Sequence, residues 1–264
     1  MRPVISLMFL LSIPFAFTSE PANEGSRPST TATPSFAVVE LFTSEGCSSC
    51  PPAEAYLNEL ARRSRSEDPA IYPLAFHVDY WDYLGWKDPA ARPEHSRRQR
   101  LYARLLEPNR VYTPQMFVNG GSGFVGSDRA TGDLVIEQAL KRTERPTQSG
   151  STKKPTLSLE GSAVERSVEI QYRVTHLPKG CVLNLALVSD VDPHTIRAGE
   201  NRGRKLHHAN VVRNFAQIEL DTANARGNTS LKLPKDLKGQ SISVIGYIQN
   251  AETLAVLAAA RLTY

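Results

Sequence analysis

With 264 residues, 41% of them apolar and 22% charged, the chain has the composition of a globular protein able to bury one large core or two ordinary ones, which excludes a disordered polymer. The formal charge of +4 is too mild to imply an acidic partner, and the strongest basic run, residues 92–104, reads as the solvated face of a helix rather than a nucleic-acid footprint.

The chain opens with MRPVISLMFLLSIPFAF, an early Arg followed by an apolar core that is too short to span a bilayer and is broken by Pro14. This is the pattern of a secretory signal peptide, assigned to residues 1–19, with an uncleaved anchor as the alternative. Residues 20–35 lack apolar periodicity and read as a flexible leader. No other segment is apolar for long enough to cross a membrane as a helix, so the expected protein is secreted or periplasmic.

From 36 to 143 strand-like and helix-like segments alternate. FAVVELF (36–42) is a short apolar run, AEAYLNELARRS (53–64) carries Ala55, Leu57, Leu60 and Ala61 at helical spacing, and IYPLAFHVDY (71–80) is strand-like. The Arg-rich helix follows, with Leu101, Tyr102, Leu105 and Leu106 on one side and Arg97, Arg100 and Arg104 on another. QMFVNG (115–120), GFVGS (123–127) and a helix over 128–142 complete the order β-α-β-α-β-β-α. A helical crossover makes the first two strands parallel, and a short turn makes the last two antiparallel.

Residues 144–155 have linker composition. Beyond them the rhythm turns to period two, as in SVEIQYRV (167–174), where Val168, Ile170, Tyr172 and Val174 alternate with polar residues. Further strands are expected at 156–160, 181–188, 211–220, 229–233, 241–249 and 255–263. The expected fold is thus an α/β thioredoxin-like domain (36–143) followed by an all-β, immunoglobulin-like sandwich (156–264).

The chemistry concentrates at TSEGCSSCPPAE (43–54). Cys47 and Cys50 follow a strand and open a helix, where the unpaired N–H groups and the helix dipole stabilise a thiolate, and the two intervening residues let the second thiol resolve a mixed disulfide. Pro51 and Pro52 place the start of regular helix just after the second cysteine. In this topology the third strand begins beside Cys47, where proteins that this arrangement resembles, the thioredoxin-like ones, place a cis-proline whose preceding backbone pairs with a bound partner; that likeness implies a cis Thr113-Pro114 peptide.

VVELFTSEGCSSCPPAE, AFHVDYWDYLGWKDP, RVYTPQMFVNG and ENRGRKLHHANVVR together resemble a bacterial family of secreted thioredoxin-like proteins catalogued as a domain of unknown function, and the resemblance covers nearly all of the chain after residue 36. It implies a thioredoxin-like fold and export, and it supplies no substrate.

Several further residues are candidates. Glu40, inside AVVELF, is a proton relay for the resolving cysteine or a carboxylate paired with an Arg. Trp81 and Trp86, with Tyr80 and Tyr83, form either an aromatic platform for a peptide partner or a small satellite core. His77, Asp79 and Asp82 have loose ligand spacing and no second His nearby, so no metal site is expected there. His207 and His208 are neighbours on a strand and point to opposite faces. Cys181 reads as a buried strand residue. The leading function is an exported thiol–disulfide oxidoreductase acting on protein or peptide thiols, with no cofactor. The rivals are a binding module whose disulfide is an inert staple, and a copper carrier using both thiolates with His77.

Overall fold

The computed structural model describes residues 29–31, 35–68, 70–107, 110–141, 154–221, 225–237 and 240–264. The signal peptide assigned to residues 1–19 and most of the linker at 144–155 lie outside these residues. The described elements are β1 (Ser29–Thr31), β2 (Ala37–Thr43), α1 (Pro51–Ser66), β3 (Ile71–His77), α2 (Pro93–Leu106), β4 (Gln115–Val118), β5 (Phe124–Val125), α3 (Arg129–Lys141), β6 (Thr156–Val164), β7 (Ser167–Thr175), β8 (Cys181–Thr195), β9 (Lys205–Leu220), β10 (Arg226–Lys232), β11 (Ile242–Asn250) and β12 (Val256–Thr263).

Between residues 37 and 141 the elements follow the order read from the sequence, with β2 and β3 parallel and β4 and β5 antiparallel. The fold class is nevertheless different from the expected one. The chain does not build an α/β thioredoxin-like domain followed by an immunoglobulin-like sandwich. A single mixed sheet of eight strands, ordered β12-β11-β8-β9-β3-β2-β4-β5, runs through both halves. The join is β9 against β3, parallel, with Val211 opposite Ala75. A second sheet, β1-β6-β7-β10, covers the C-terminal strands of the first.

The physical reason lies in β8 and β9. The sequence predicts these strands over 181–188 and 211–220, but β8 runs on to Thr195 and β9 begins at Lys205. The join itself falls at Val211, the first residue of the expected strand, which takes up the open edge of β3. Period-two alternation reports which face of a strand is buried, whereas edge pairing is made by backbone groups that every residue carries.

Three apolar clusters fill the molecule. One lies between the two sheets, around Leu157, Ile170, Leu185 and Val244. The other two lie on opposite faces of the large sheet, because side chains alternate along β2. Val38 and Phe42 pack with Tyr102 of α2, while Val39 and Leu41 pack with Tyr56 and Leu57 of α1.

Helix α1 starts at Pro51, where the missing N–H would have had no intrahelical partner. Its buried stripe is Ala53, Tyr56, Leu57, Leu60 and Ala61, joined by the polar Glu54, and Ala55 faces solvent. In α2 the exposed arginines are Arg97, Arg100 and Arg104, as read, but the inward face is polar and includes His95, Arg98 and Gln99. Gly120, at φ 68°, lets the turn after β4 touch the far half of the sheet, since a Cβ there would overlap the Leu254 carbonyl.

Candidate functional site

The turn between β2 and α1 is built by its own backbone. Cys47 N–H donates to the Ser44 carbonyl (3.2 Å) and Cys50 N–H to the Cys47 carbonyl (3.2 Å), which sets both sulfurs at the N-terminus of α1. Cys47 and Cys50 form a disulfide with their Cα atoms 5.5 Å apart. The Thr113–Pro114 peptide is cis, and the Thr113 carbonyl lies 3.8 Å from Cys47 Sγ and accepts the Ser49 hydroxyl at 3.3 Å. Trp81 donates its indole N–H to Thr113 Oγ1 (2.8 Å). Cys47, Cys50, Thr113, Pro114 and Trp81 therefore meet at one place.

Both cysteines are fully buried. The β8–β9 loop is hydrogen-bonded to the backbone of this turn. Glu200 accepts the Ser48 N–H (2.9 Å), and the Asn201 amide donates to the carbonyls of Glu45 and Cys47, each at 2.8 Å. The loop closes on itself through Gly203 N–H to the Ile196 carbonyl (2.8 Å).

Next to this turn lies a buried polar cluster drawn from five segments. Glu45 comes from the turn, Glu54 from α1, His77 from the end of β3, Asp88 from the loop after it, and His208 from β9, all with little or no exposure. His77 donates from Nδ1 to Asp88 Oδ2 (2.8 Å), because a carboxylate only accepts. Asp88 also accepts the N–H groups of Glu45 and Ala90, each at 2.9 Å. Burial disfavours its charge, but His77 and these two donors outweigh burial and hold its pKa well below the usual carboxylate range. His208 donates from Nε2 to Glu45 Oε1 (3.1 Å), and its Nδ1 lies 3.0 Å from Glu54 Oε2, at ion-pair distance without hydrogen-bond angles.

Glu54 Oε1 accepts the Thr43 hydroxyl (2.6 Å). Burial opposes the charge of Glu54, yet the charge and hydrogen bond of His208, and the charge of His77, bring its pKa below the ordinary value. For His208 burial works against the proton, while Glu54 and Glu45 push the pKa up to about 10. Trp86 donates to Glu45 Oε2 (2.7 Å), and the half-exposed His194 places Nε2 2.9 Å from Glu45 Oε1. His77 Nε2 is buried without a partner.

Glu40 lies elsewhere. It is an odd number of residues from Thr43 along β2, so it faces α2, where Arg98 grips it through Nε (2.6 Å) and a terminal nitrogen (2.9 Å) and Tyr102 adds its hydroxyl (2.6 Å). Its described contacts include neither cysteine. Trp86 points at Glu45 rather than at the disulfide, and Tyr83 is the large aromatic of its loop that stands exposed. His208 is buried while His207 is exposed, as strand alternation requires. Asp79 is bound to Ser96, outside the cluster.

Glu45, Glu54, Asp88 and His194 were not singled out from the sequence. Glu54 had a signal: it lies three and seven residues before Leu57 and Ala61, inside the buried stripe of α1. Asp88 and Glu45 had none, since loop spacing does not reveal what a loop folds back upon.

A search among curated proteins returns no match. A crystal structure of a protein from Agrobacterium tumefaciens is similar at 28% identity with a TM-score of 0.57, over 86% of this chain and 93% of that one. HBP35 of Porphyromonas gingivalis is similar at 12% identity with a TM-score of 0.58, over 86% of this chain and 74% of that one, which is a likeness of fold. The family described as protein of unknown function (DUF1223) matches residues 38–249, a span that holds the disulfide and every member of the buried cluster, and the chain belongs to that family.

Proposed function

We propose that the protein is an exported thiol–disulfide exchange protein acting through Cys47–Cys50. The observation that carries this reading is the disulfide at the N-terminus of the 16-residue α1 with the Thr113 carbonyl 3.8 Å from Cys47 Sγ. The helix end favours a departing thiolate, and the Thr113 carbonyl beside Cys47 offers backbone to a partner chain. In the oxidising direction a partner thiolate attacks Cys47 Sγ, the Cys47–Cys50 bond breaks, and Cys50 leaves as thiolate and takes up a proton. The partner's second thiolate then attacks the mixed disulfide, so the partner leaves as a disulfide and the chain holds two thiols.

Because both cysteines are buried, exchange requires the Glu200–Asn201 segment to lift first. That same burial supports a second reading, a binding module in which the disulfide is a staple. Equilibration of Cys181→Ala protein, made without residues 1–19, in glutathione and dithiothreitol buffers separates the two. A potential between about −270 and −120 mV is expected for exchange, and a value below about −300 mV makes the bond structural and ends the first reading.

A further inference from the structure

We propose that Glu54, His77 and His208 form a buried site for one Zn²⁺ ion, independent of the redox state of Cys47–Cys50. One donor atom from each of the three side chains lies within 4.8 Å of the others, and all three residues are buried. A tetrahedral ion bound at about 2.0–2.2 Å needs donor separations of about 3.3–3.6 Å, so the His208–Glu54 pair at 3.0 Å must open slightly and the widest separation, at most 4.8 Å, must close.

The stronger argument is what the rest of each side chain does. Ligating histidines hand their second nitrogen to a carboxylate or carbonyl, which fixes the ring and its tautomer. Asp88 takes His77 Nδ1–H and thereby turns the lone pair of Nε2 inward, where it is buried with no partner. Glu45 takes His208 Nε2–H and turns Nδ1 toward Glu54 at 3.0 Å. Glu54 has one oxygen tied by the Thr43 hydroxyl, which leaves Oε2 on the side of His208. All three candidate ligands are thus oriented by a second partner, and the supporting Asp88 is in turn held by two backbone N–H groups.

A buried imidazole nitrogen without a partner forfeits a hydrogen bond it would have in water, and such orphans are rare in the absence of a ligand. Two imidazoles and a carboxylate leave the fourth position of a tetrahedron for a water or a ligand, and this donor set suits Zn²⁺ better than the thiolate-seeking Cu(I).

The test uses oxidised protein freed of metal with a chelator and titrated with Zn²⁺ against a chromophoric competitor, and in parallel with Co²⁺ followed by absorption. We expect one ion per chain, a Co²⁺ spectrum without a thiolate charge-transfer band, and a thermal midpoint that rises with Zn²⁺ concentration. Asp88→Asn should weaken binding about 10–100-fold, and His77→Gln or Glu54→Gln should weaken it more. Cys47→Ser/Cys50→Ser should leave the affinity unchanged. No stoichiometric uptake by the wild-type protein, or uptake unchanged in His77→Gln/Glu54→Gln, overturns the proposal, as does a thiolate band. If the ligand variants fail to fold, the wild-type stoichiometry and Co²⁺ spectrum still decide.

Discussion

The large sheet carries a buried charged cluster on each face, and the two are finished differently. On the α2 face Glu40 is met by Arg98 and Tyr102, and Arg98 also donates to Tyr247 (2.8 Å) and Gln249 (3.2 Å). Gln249 passes the network to Asn184 (3.0 Å) and Leu254, and no fully buried side-chain nitrogen or oxygen of this set is left without a partner. On the α1 face carboxylates gather around imidazoles, and His77 Nε2 is left over. A cluster that satisfies itself is architecture. A cluster that leaves a buried imidazole nitrogen unpartnered is the one on which the proposed Zn²⁺ site rests.

The largest effect should come from the closed cluster. Arg98 links β2 and α2 to β11, and its guanidinium also lies 5.0 Å from the centroid of the Phe215 ring, so it pins the two halves of the molecule together. Arg98→Met leaves the Glu40 carboxylate buried and uncompensated, a loss of about 3–5 kcal/mol measurable by urea unfolding. Glu40→Leu combined with Arg98→Met should lose less than Arg98→Met alone, because replacing both ions removes the uncompensated charge. A double variant that is worse than the single one would show that Arg98 acts by packing rather than by charge.

Next in size is a pH effect at the border between the clusters. His95 donates from Nδ1 to the His77 carbonyl (2.9 Å), and burial depresses its pKa to about 4. The unfolded chain binds a proton here below about pH 6.5 whereas the folded one does not until about pH 4, so stability falls as pH drops through that window. The loss should approach about 3 kcal/mol. His208 has the opposite sign: its pKa is raised to about 10, so its contribution is complete below about pH 6.5 and is lost as pH rises through 10. Urea midpoints between pH 4 and 7 should therefore slope for the wild type and flatten in His95→Gln. An unchanged slope would place the acid sensitivity in other groups.

Much of this was legible in the sequence. The helix start at Pro51 and the divergence of His207 from His208 follow from local rules that act over one or two residues, whereas the cis Thr113–Pro114 bond follows from its place beside Cys47 in the thioredoxin-like order of elements. The meeting of Cys47 with Thr113 follows from the order of elements. The continuous sheet was not legible, because Ala75 and Val211 look the same whether their strand edges are covered or open. Nor was the second half of the candidate site, since Asp88 and Glu45 acquire their roles only where loops fold back. Arg98 was hidden for another reason: it belongs to a run of arginines whose neighbours are solvated, and only the phase of the helix turns it inward.

The smallest effect separates local from global stability. Asn201 makes two hydrogen bonds to the cysteine turn, and Asn201→Ala removes both while leaving the charged clusters intact. Each is worth about 0.5–1.5 kcal/mol, and the freed Glu45 and Cys47 carbonyls regain water whenever the loop lifts. Global unfolding should move little, since the loop opens as a local unit. The rate at which dithiothreitol reduces Cys47–Cys50 should rise about tenfold, in line with an opening made easier by roughly 1.4 kcal/mol. Arg98→Met provides the contrast: it lowers global stability more but does not touch the loop, so reduction through local opening should be nearly unchanged. If the reduction rate instead tracks the urea midpoint in both variants, the disulfide becomes accessible only when the whole sheet comes apart, and the β8–β9 loop is not its cover.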